Sequence, residues 1–417
     1  MFLEKNYKFI LKLYISLVIF LSLYYLGGVN VGTTYNAMSE WVINYQGGFV
    51  RRGLIGEIIF QISNFFGLNL RFCFLILQSF LYLVFYYLVY DLLKNIKPNY
   101  FLILAIFSPV FIIFPIAELE AIGRKEVLIF ITLLISINLY FKYLNNNLLI
   151  LFLSIAFPIL ILTHEASIFY SFFFISLVLI TNNRYNFNYF LKLILFSLPS
   201  LACIYAIYFY PHTNSETLIM CEELKKIGEE CGLAAAFISK RINAHIAEIN
   251  WEINHVIRYI GIFIIGFFSL IYLSFKSKFN LEKINPFFSK KPFYFHFLIL
   301  ILPSLLMFVI AVDTGRWTHM SYTCSFIYFF GLLKNKAIII NHKLFDFNFI
   351  NFRMKNFISI FLFLLICLSW NPKAVYHEDL GSFPIYRALE KMPIYYNNIL
   401  KIKIFRKTYK IKGPLAQ

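Results

Sequence analysis

The chain has 417 residues, of which 60% are hydrophobic, 20% aromatic and 14% charged, with a mean hydropathy of +0.71. Soluble globular chains run at roughly 45–50% apolar and about 25% charged residues, and a single soluble core stops growing near about 250–300 residues. A water-soluble enzyme and a disordered protein are both excluded, and the +17 from 38 Lys+Arg against 21 Asp+Glu points to membrane topology before nucleic acid.

The expected fold class is all-α, a polytopic transmembrane helix bundle of about 11 spans with a helical outer-face loop. Candidate spans fall near 8–26, 71–91, 100–115, 127–141, 148–162, 167–181, 190–210, 257–274, 294–312, 318–333 and 356–370. Leu3 to Phe20 lacks a small-residue cleavage site, so the first span reads as an anchor. The segment 53–66 is apolar but short and carries Glu57, which suits a re-entrant or interfacial helix. With the N-terminus inside, the inner segments hold 18 Lys and Arg (from Lys5, Lys8 and Lys12 to Arg353 and Lys355) against Glu4, Asp91, Glu282 and Asp346. That asymmetry sets a cytoplasmic N-terminus in a bacterial inner membrane.

Three regions follow: a transmembrane domain over 1–370, a periplasmic helical loop at 211–256 inserted in it, and a basic C-terminal tail at 371–417. The loop holds Cys221 and Cys231, the two cysteines outside spans, and in an oxidising compartment they are candidates for a disulfide. An amphipathic run follows them. An odd span count puts the tail outside, although Lys401, Lys403, Arg406, Lys407, Lys410 and Lys412 run against the positive-inside rule. Either the tail lies on anionic headgroups or one span near the C-terminus is miscounted.

Ionisable residues are costly in hydrocarbon and so informative, and here they gather at the outer ends of spans. The first outer loop offers Glu40, Trp41, Tyr45, Gly47, Gly48, Arg51, Arg52 and Gly53, and the next offers Glu118, Glu120, Arg124, Lys125 and Glu126. Two further spans end at Thr163-His164-Glu165 and Asp313-Thr314-Gly315-Arg316-Trp317. Each cluster alone has a plain structural explanation: snorkelling arginines, a Glu120–Arg124 helical pair, an interfacial histidine, or a local Asp313–Arg316 pair. Jointly, charges this close to the hydrocarbon in such short connectors argue for a shared site.

Guanidinium forks and a lysine suit the oxygens of a phosphate or diphosphate. That chemistry assigns Arg51, Arg52, Arg124, Lys125 and Arg316 to substrate. Glu57, Glu120, His164, Glu165 and Asp313 are the candidate bases. Trp41, Tyr45 and Trp317 offer flat faces for sugar rings. No Cys/His spacing suits a metal, and no cofactor is called for. These parts fit glycosyl transfer from a polyprenyl-diphosphate sugar.

The architecture, with the strings GGFVRRGL, GRKE, THE and DTGRW, resembles the bacterial O-antigen or capsule repeat-unit polymerases (Wzy-type), polytopic glycosyltransferases of the GT-C kind. The resemblance implies a metal-independent membrane polymerase that transfers undecaprenyl-diphosphate-linked oligosaccharide on the periplasmic face. It also implies contact with membrane lipids, with a flippase and chain-length regulator proteins as candidate partners, and none with nucleic acid. The first outer loop departs from the GT-C pattern by having Glu40 and Glu57 in place of an Asp, so the base stays open among the five candidates. Two alternatives remain. One is a single-sugar GT-C transferase or ligase using a polyprenyl-phosphate donor. The other is a lipid-linked glycan flippase or transporter, whose ionisable groups would usually sit nearer the midplane.

Overall fold

In a computed structural model, the structure describes residues 6–30, 36–182, 185–210, 212–232, 238, 252–280, 282–289, 292–310, 313–340, 352–374 and 381–405. Most of the amphipathic run after Cys231, and the tail from Arg406 onward, lie outside the described residues. Helix accounts for 74% and strand for 3%, so the molecule is mostly helical.

The helices in chain order are α1 (Tyr7–Val29), α2 (Asn36–Trp41), α3 (Leu54–Phe66), α4 (Leu70–Leu93), α5 (Tyr100–Ile106), α6 (Val127–Tyr143), α7 (Asn146–Thr163), α8 (Ser171–Ile180) and α9 (Phe187–Phe209). They continue as α10 (Asn214–Lys226), α11 (Ile253–Phe275), α12 (Phe293–Ile310), α13 (Thr314–Lys334), α14 (Phe352–Phe363), α15 (Pro384–Glu390) and α16 (Met392–Ile399). The Asn-rich connectors have a structural use. Asn69, Asn99, Asn145 and Asn186 each accept a hydrogen bond from a main-chain N–H in the first turn that follows, capping α4, α5, α7 and α9.

Among the described residues six helices are long and apolar enough to cross a membrane: α1, α4, α7, α9, α11 and α12. The described helices do not confirm the expected count of about eleven, because several of the expected stretches form shorter helices. Composition does not distinguish an apolar residue facing lipid from one facing protein. The stretch expected to span at 100–115 is α5 followed by a buried turn, Phe114–Ala117. At 167–181 a 3₁₀ turn leads into the ten-residue α8. By contrast α9 turns its apolar side chains outward (Ile194, Leu198 and Leu201 are about half exposed) and buries Tyr189 and Ser200.

Helix α13 is the axis of the bundle, buried at every residue from Thr314 to Leu332. Its polar side chains bind neighbouring elements: Ser321 donates to Ser304 (2.8 Å), Tyr322 to the Ala105 carbonyl (2.7 Å) and His319 Nδ1 to the Val110 carbonyl (2.9 Å). Such bonds join helices where no water competes.

The bundle has two distinct ends. At one, Asp91 pairs with Lys94 (2.7 Å) and Lys334 (2.6 Å), and Tyr7 donates to the Leu93 carbonyl (3.1 Å). The other end gathers the C-termini of α1 and α7 and the N-termini of α4, α6 and α13. The described tail docks at this second end. Tyr24 donates to the Met392 carbonyl (2.6 Å), Asn398 to that of Gly28 (3.3 Å), and the Asn69 N–H to that of Ile404 (2.9 Å).

Gly28 makes this docking possible, since a Cβ there would lie 2.6 Å from Tyr395 Cβ. Gly28→Val is expected to lift α16, so that limited proteolysis cuts within 384–405 several-fold faster than in wild type. Gly261→Ala, whose Cβ meets nothing within 4 Å, serves as the neutral control. Equal cleavage in all three proteins would contradict the docking.

Candidate active site

Four segments distant in sequence meet at the tail-bearing end, each brought there by local structure. The first loop returns through Gly48 (φ 126°) and Arg52 (φ 66°). A left-handed conformation is costly for a side chain such as arginine, and Arg52 is held in it because its carbonyl accepts the Lys125 ammonium at 2.7 Å. The second loop turns at Gly123 (φ 70°), whose N–H donates to Tyr82 Oη (3.0 Å) and whose carbonyl accepts Trp41 Nε1 (2.5 Å) and Gln78 Nε2 (3.0 Å). Thr163-His164-Glu165 closes α7, and Asp313 opens α13.

Their charges interlock around two buried carboxylates. Glu40 Oε1 takes Arg124 Nη1 at 2.5 Å and lies 3.6 Å from Arg52 Nη1 and from Arg316 Nη2. Glu126 Oε1 takes Arg316 Nε at 2.6 Å and stands 3.6 Å from His164 Nε2. Arg316 also pairs with Asp313 and lies over the Trp317 ring at 4.8 Å. Glu165 binds Arg52 through Nε (2.7 and 2.8 Å) and Nη2 (2.6 Å), with Arg51 Nη1 at 3.5 Å. Burial alone pushes Glu40 and Glu126 up, but the surrounding arginines outweigh it and hold both below the usual carboxylate range. Losing one partner of such a pair costs about 3–5 kcal/mol because a bare buried charge remains.

Arg51, Arg52, Arg124, Lys125, His164, Glu165, Asp313 and Arg316 are thus brought together. Glu57 is not. It accepts the Tyr45 N–H (2.9 Å) and the Gln46 and Gln61 amides (both 2.7 Å), fastening the first loop to α3. Glu120 joins through its carbonyl, which accepts Arg124 Nε at 2.7 Å. Trp41 and Trp317 are buried, at 0% and 3% exposure, and offer sugar rings no face. Trp41 instead lies beneath the Lys125 ammonium, 5.7 Å from ring centre to Nζ. Cys221 and Cys231 form a disulfide that closes the end of α10. That helix roofs the first loop so closely that a Cβ on Gly47 would lie 2.0 Å from the Glu216 carbonyl oxygen.

Sequence reasoning assigned no role to Glu40 and Glu126, on which the arginines converge. A charge balance at the span ends would have found them, because buried cations in a low dielectric require counter-ions.

Access is uneven. Lys125, Arg124, Arg316, Glu40 and Glu126 are all under 5% exposed, whereas the Arg51, Arg52, Glu165 and Asp313 side chains are 18–26% exposed. Beneath Arg124, Glu126 and Arg316 lies a cavity of about 20 Å³, room for one water. Solvent therefore reaches the cluster at Arg51, Arg52, Glu165 and Asp313. Around that opening Thr163 Oγ1, Ser167 Oγ, Thr314 Oγ1 and both His164 ring nitrogens are buried without a hydrogen bond among the described residues.

No family model, curated protein or solved structure matches the chain.

Burial pulls the Lys125 amine down to about 7, so the folded protein releases this proton well before the unfolded chain does, near about pH 10.4. Between those values the unfolded chain binds more protons, and the stability contribution of Lys125 rises with pH. Thermal unfolding in detergent is expected to show a Tm gain from neutral to alkaline pH that Lys125→Met removes. An identical pH profile for the two proteins would contradict the buried amine.

Proposed function

We propose that the chain is a membrane glycosyltransferase acting on a polyprenyl-diphosphate-linked glycan, in the manner of a polysaccharide (O-antigen or capsule) repeat-unit polymerase. The observation that carries the reading is the juxtaposition of His164, buried with neither ring nitrogen hydrogen-bonded, and the water-accessible Arg51–Arg52–Glu165 group. His164 stands 3.6 Å from Glu126 and is adjacent in the chain to Glu165, the counter-ion of the accessible arginines.

In this reading the about eleven crossings of the sequence pattern place the site on the periplasmic face. Shorter apolar helices such as α6 complete the set beside the six long ones. Arg51 and Arg52 receive the diphosphate, with Glu165 giving way as their counter-ion. His164, set toward Glu126, accepts the proton of the acceptor hydroxyl as its oxygen bonds to the anomeric carbon. The bond from that carbon to the diphosphate breaks, and the leaving group departs with the electron pair onto the two guanidinium forks. Arg124 and Arg316 hold the carboxylates in place and do not touch the substrate.

A second reading, a lipid-linked glycan flippase or transporter, draws on a separate observation. Toward the Asp91–Lys334 end of the bundle, Ser176, His296 and Tyr328 form a hydrogen-bonded triangle of 2.6, 2.9 and 3.0 Å, the kind of buried polar group that moves protons.

Arg51→Ala and Arg52→Ala are expected to abolish the ladder of glycan lengths while the protein still inserts at normal level. His164→Gln should lower polymer formation at least about 100-fold, as loss of a general base does. Purified protein in detergent is expected to polymerise without a membrane gradient. A normal ladder in all three variants would overturn the enzyme reading, and gradient-dependent movement of glycan without polymer would establish the second.

A further inference from the structure

The described part of the tail lies at the level where the long helices leave the apolar layer. Tyr7 of α1 bonds to the Leu93 carbonyl beside the Asp91, Lys94 and Lys334 charges, which mark one boundary of that layer. From Tyr7 to Gly28 is about 32 Å of helix, and the hydrocarbon of a bilayer is about 30 Å thick. Helix α4 gives the same distance independently, since Leu93 to Leu70 is about 35 Å. Gly28 and Asn69 therefore stand at the opposite boundary, and the tail is fastened to both. Tyr395 covers Gly28, Ile399 covers Gly27, and the Asn69 N–H donates to the Ile404 carbonyl at 2.9 Å. Below the tail, α1 shows a stripe of exposed Leu13, Leu17 and Phe20. Tyr24 continues that stripe, stacked on Phe20 with 6.4 Å between ring centres and donating to the Met392 carbonyl at 2.6 Å.

Three short helices at this level are apolar on both faces. Helices α15 and α16 bury Pro384, Ala388 and Tyr395 yet expose Tyr386, Leu389, Tyr396 and Leu400. Helix α3 buries Ile59 and Phe60 and leaves Phe65 84% exposed. An antiparallel bridge between Leu68 and Phe405 joins its end to the tail. A helix that has spent one apolar face on protein needs a partner for the other, because a contiguous apolar surface left in water marks an interaction site. Charge identifies the partner. Lys401 and Lys403 are exposed among these side chains, and over 384–405 Arg387, Lys391, Lys401 and Lys403 stand against a single acid, Glu390. Lysine is depleted from protein–protein interfaces, whereas the headgroup layer takes up apolar side chains mixed with Tyr and Lys. We propose that the tail helices and the end of α3 form a platform embedded in the headgroup layer of one leaflet, with Lys401 and Lys403 on the phosphates of anionic phospholipids. Lipid then holds the tail against the bundle, and through it the Arg387–Glu118 pair at 2.6 Å. This placement is independent of the reaction at the charge cluster.

The test places a photoreactive benzophenone amino acid at 65, 396 or 405 of the full chain, reconstituted in nanodiscs of phosphatidylcholine alone or mixed equally with phosphatidylglycerol. Illumination is expected to give phospholipid adducts at all three positions and none at 222, exposed on α10 opposite its buried Met220 and Leu224. Amide hydrogen exchange reads the part played by charge. Over 384–405 it should be several-fold slower in the mixed discs than in phosphatidylcholine alone, with 214–226 unchanged between the two. Lys401→Gln/Lys403→Gln, confined to exposed side chains, should remove that difference while keeping the lipid adducts, which shows that the tail is still folded onto the bundle. Absence of lipid adducts at 65, 396 and 405, or as many at 222, would overturn the platform, and adducts to protein there would put a protein partner in its place. Exchange over 384–405 that ignores phosphatidylglycerol, or responds to it equally in the lysine variant, would overturn the recognition of anionic lipid.

Discussion

A carboxylate and a guanidinium buried at the edge of an apolar bundle are tolerable only together, and that requirement organises this molecule. Glu40 is reached by Arg52, Arg124 and Arg316, which come from three separate segments, and Glu126 draws Arg316 and His164 toward the start of α6. None of the contributing connectors is long enough to form a domain, and none has an apolar core. Their conformations, including the left-handed Arg52, hold because a displaced member would leave a charge without water or partner. The same constraint keeps His164 in place without a hydrogen bond of its own.

The rest of the fold hangs from this end. Helix α13 brings Arg316 to the cluster at its first turn and Lys334 to Asp91 at its last, so one buried helix ties the two polar ends of the bundle together. Around it the hydroxyls of Ser321 and Tyr322 serve as interhelical bonds. The tail adds a second clamp, since Arg387 pairs with Glu118 at 2.6 Å while α16 covers Gly27 and Gly28. Beside it, the disulfide-closed segment holds Glu229 against Arg71. The charge cluster and the tail clamp are thus built from the same few helix ends.

Much of this was legible in the amino-acid sequence, and the limits are physical. Class and membrane character follow from composition, and the segments of the site follow from charges placed where hydrocarbon makes them costly. The pairing of Cys221 with Cys231 follows from their short separation outside the spans. The span count is not legible, because stretches such as α5 are buried in protein, which hydropathy does not separate from burial in lipid. Partners across long separations are not legible either. Nothing local to Arg71 points to Glu229, and nothing local to Glu118 points to Arg387. Trp41 shows the opposite error: an aromatic residue in a polar loop reads as a ligand platform, yet its indole N–H is committed to Gly123.

The central claim is that one set of charges both locks the bundle end and positions the reacting groups. A double-mutant cycle on Arg316 and Glu126 tests it most directly, with thermal stability and glycan polymerisation measured on each protein. Arg316→Met and Glu126→Met should each lower Tm sharply, and the double variant should recover much of that loss, because neither member of the buried pair is left facing a missing partner. Polymer formation should stay absent in the double variant, since His164 has lost the carboxylate beside it. Additive stability losses would contradict the interlock, and polymer formation returning together with stability would contradict its part in the chemistry.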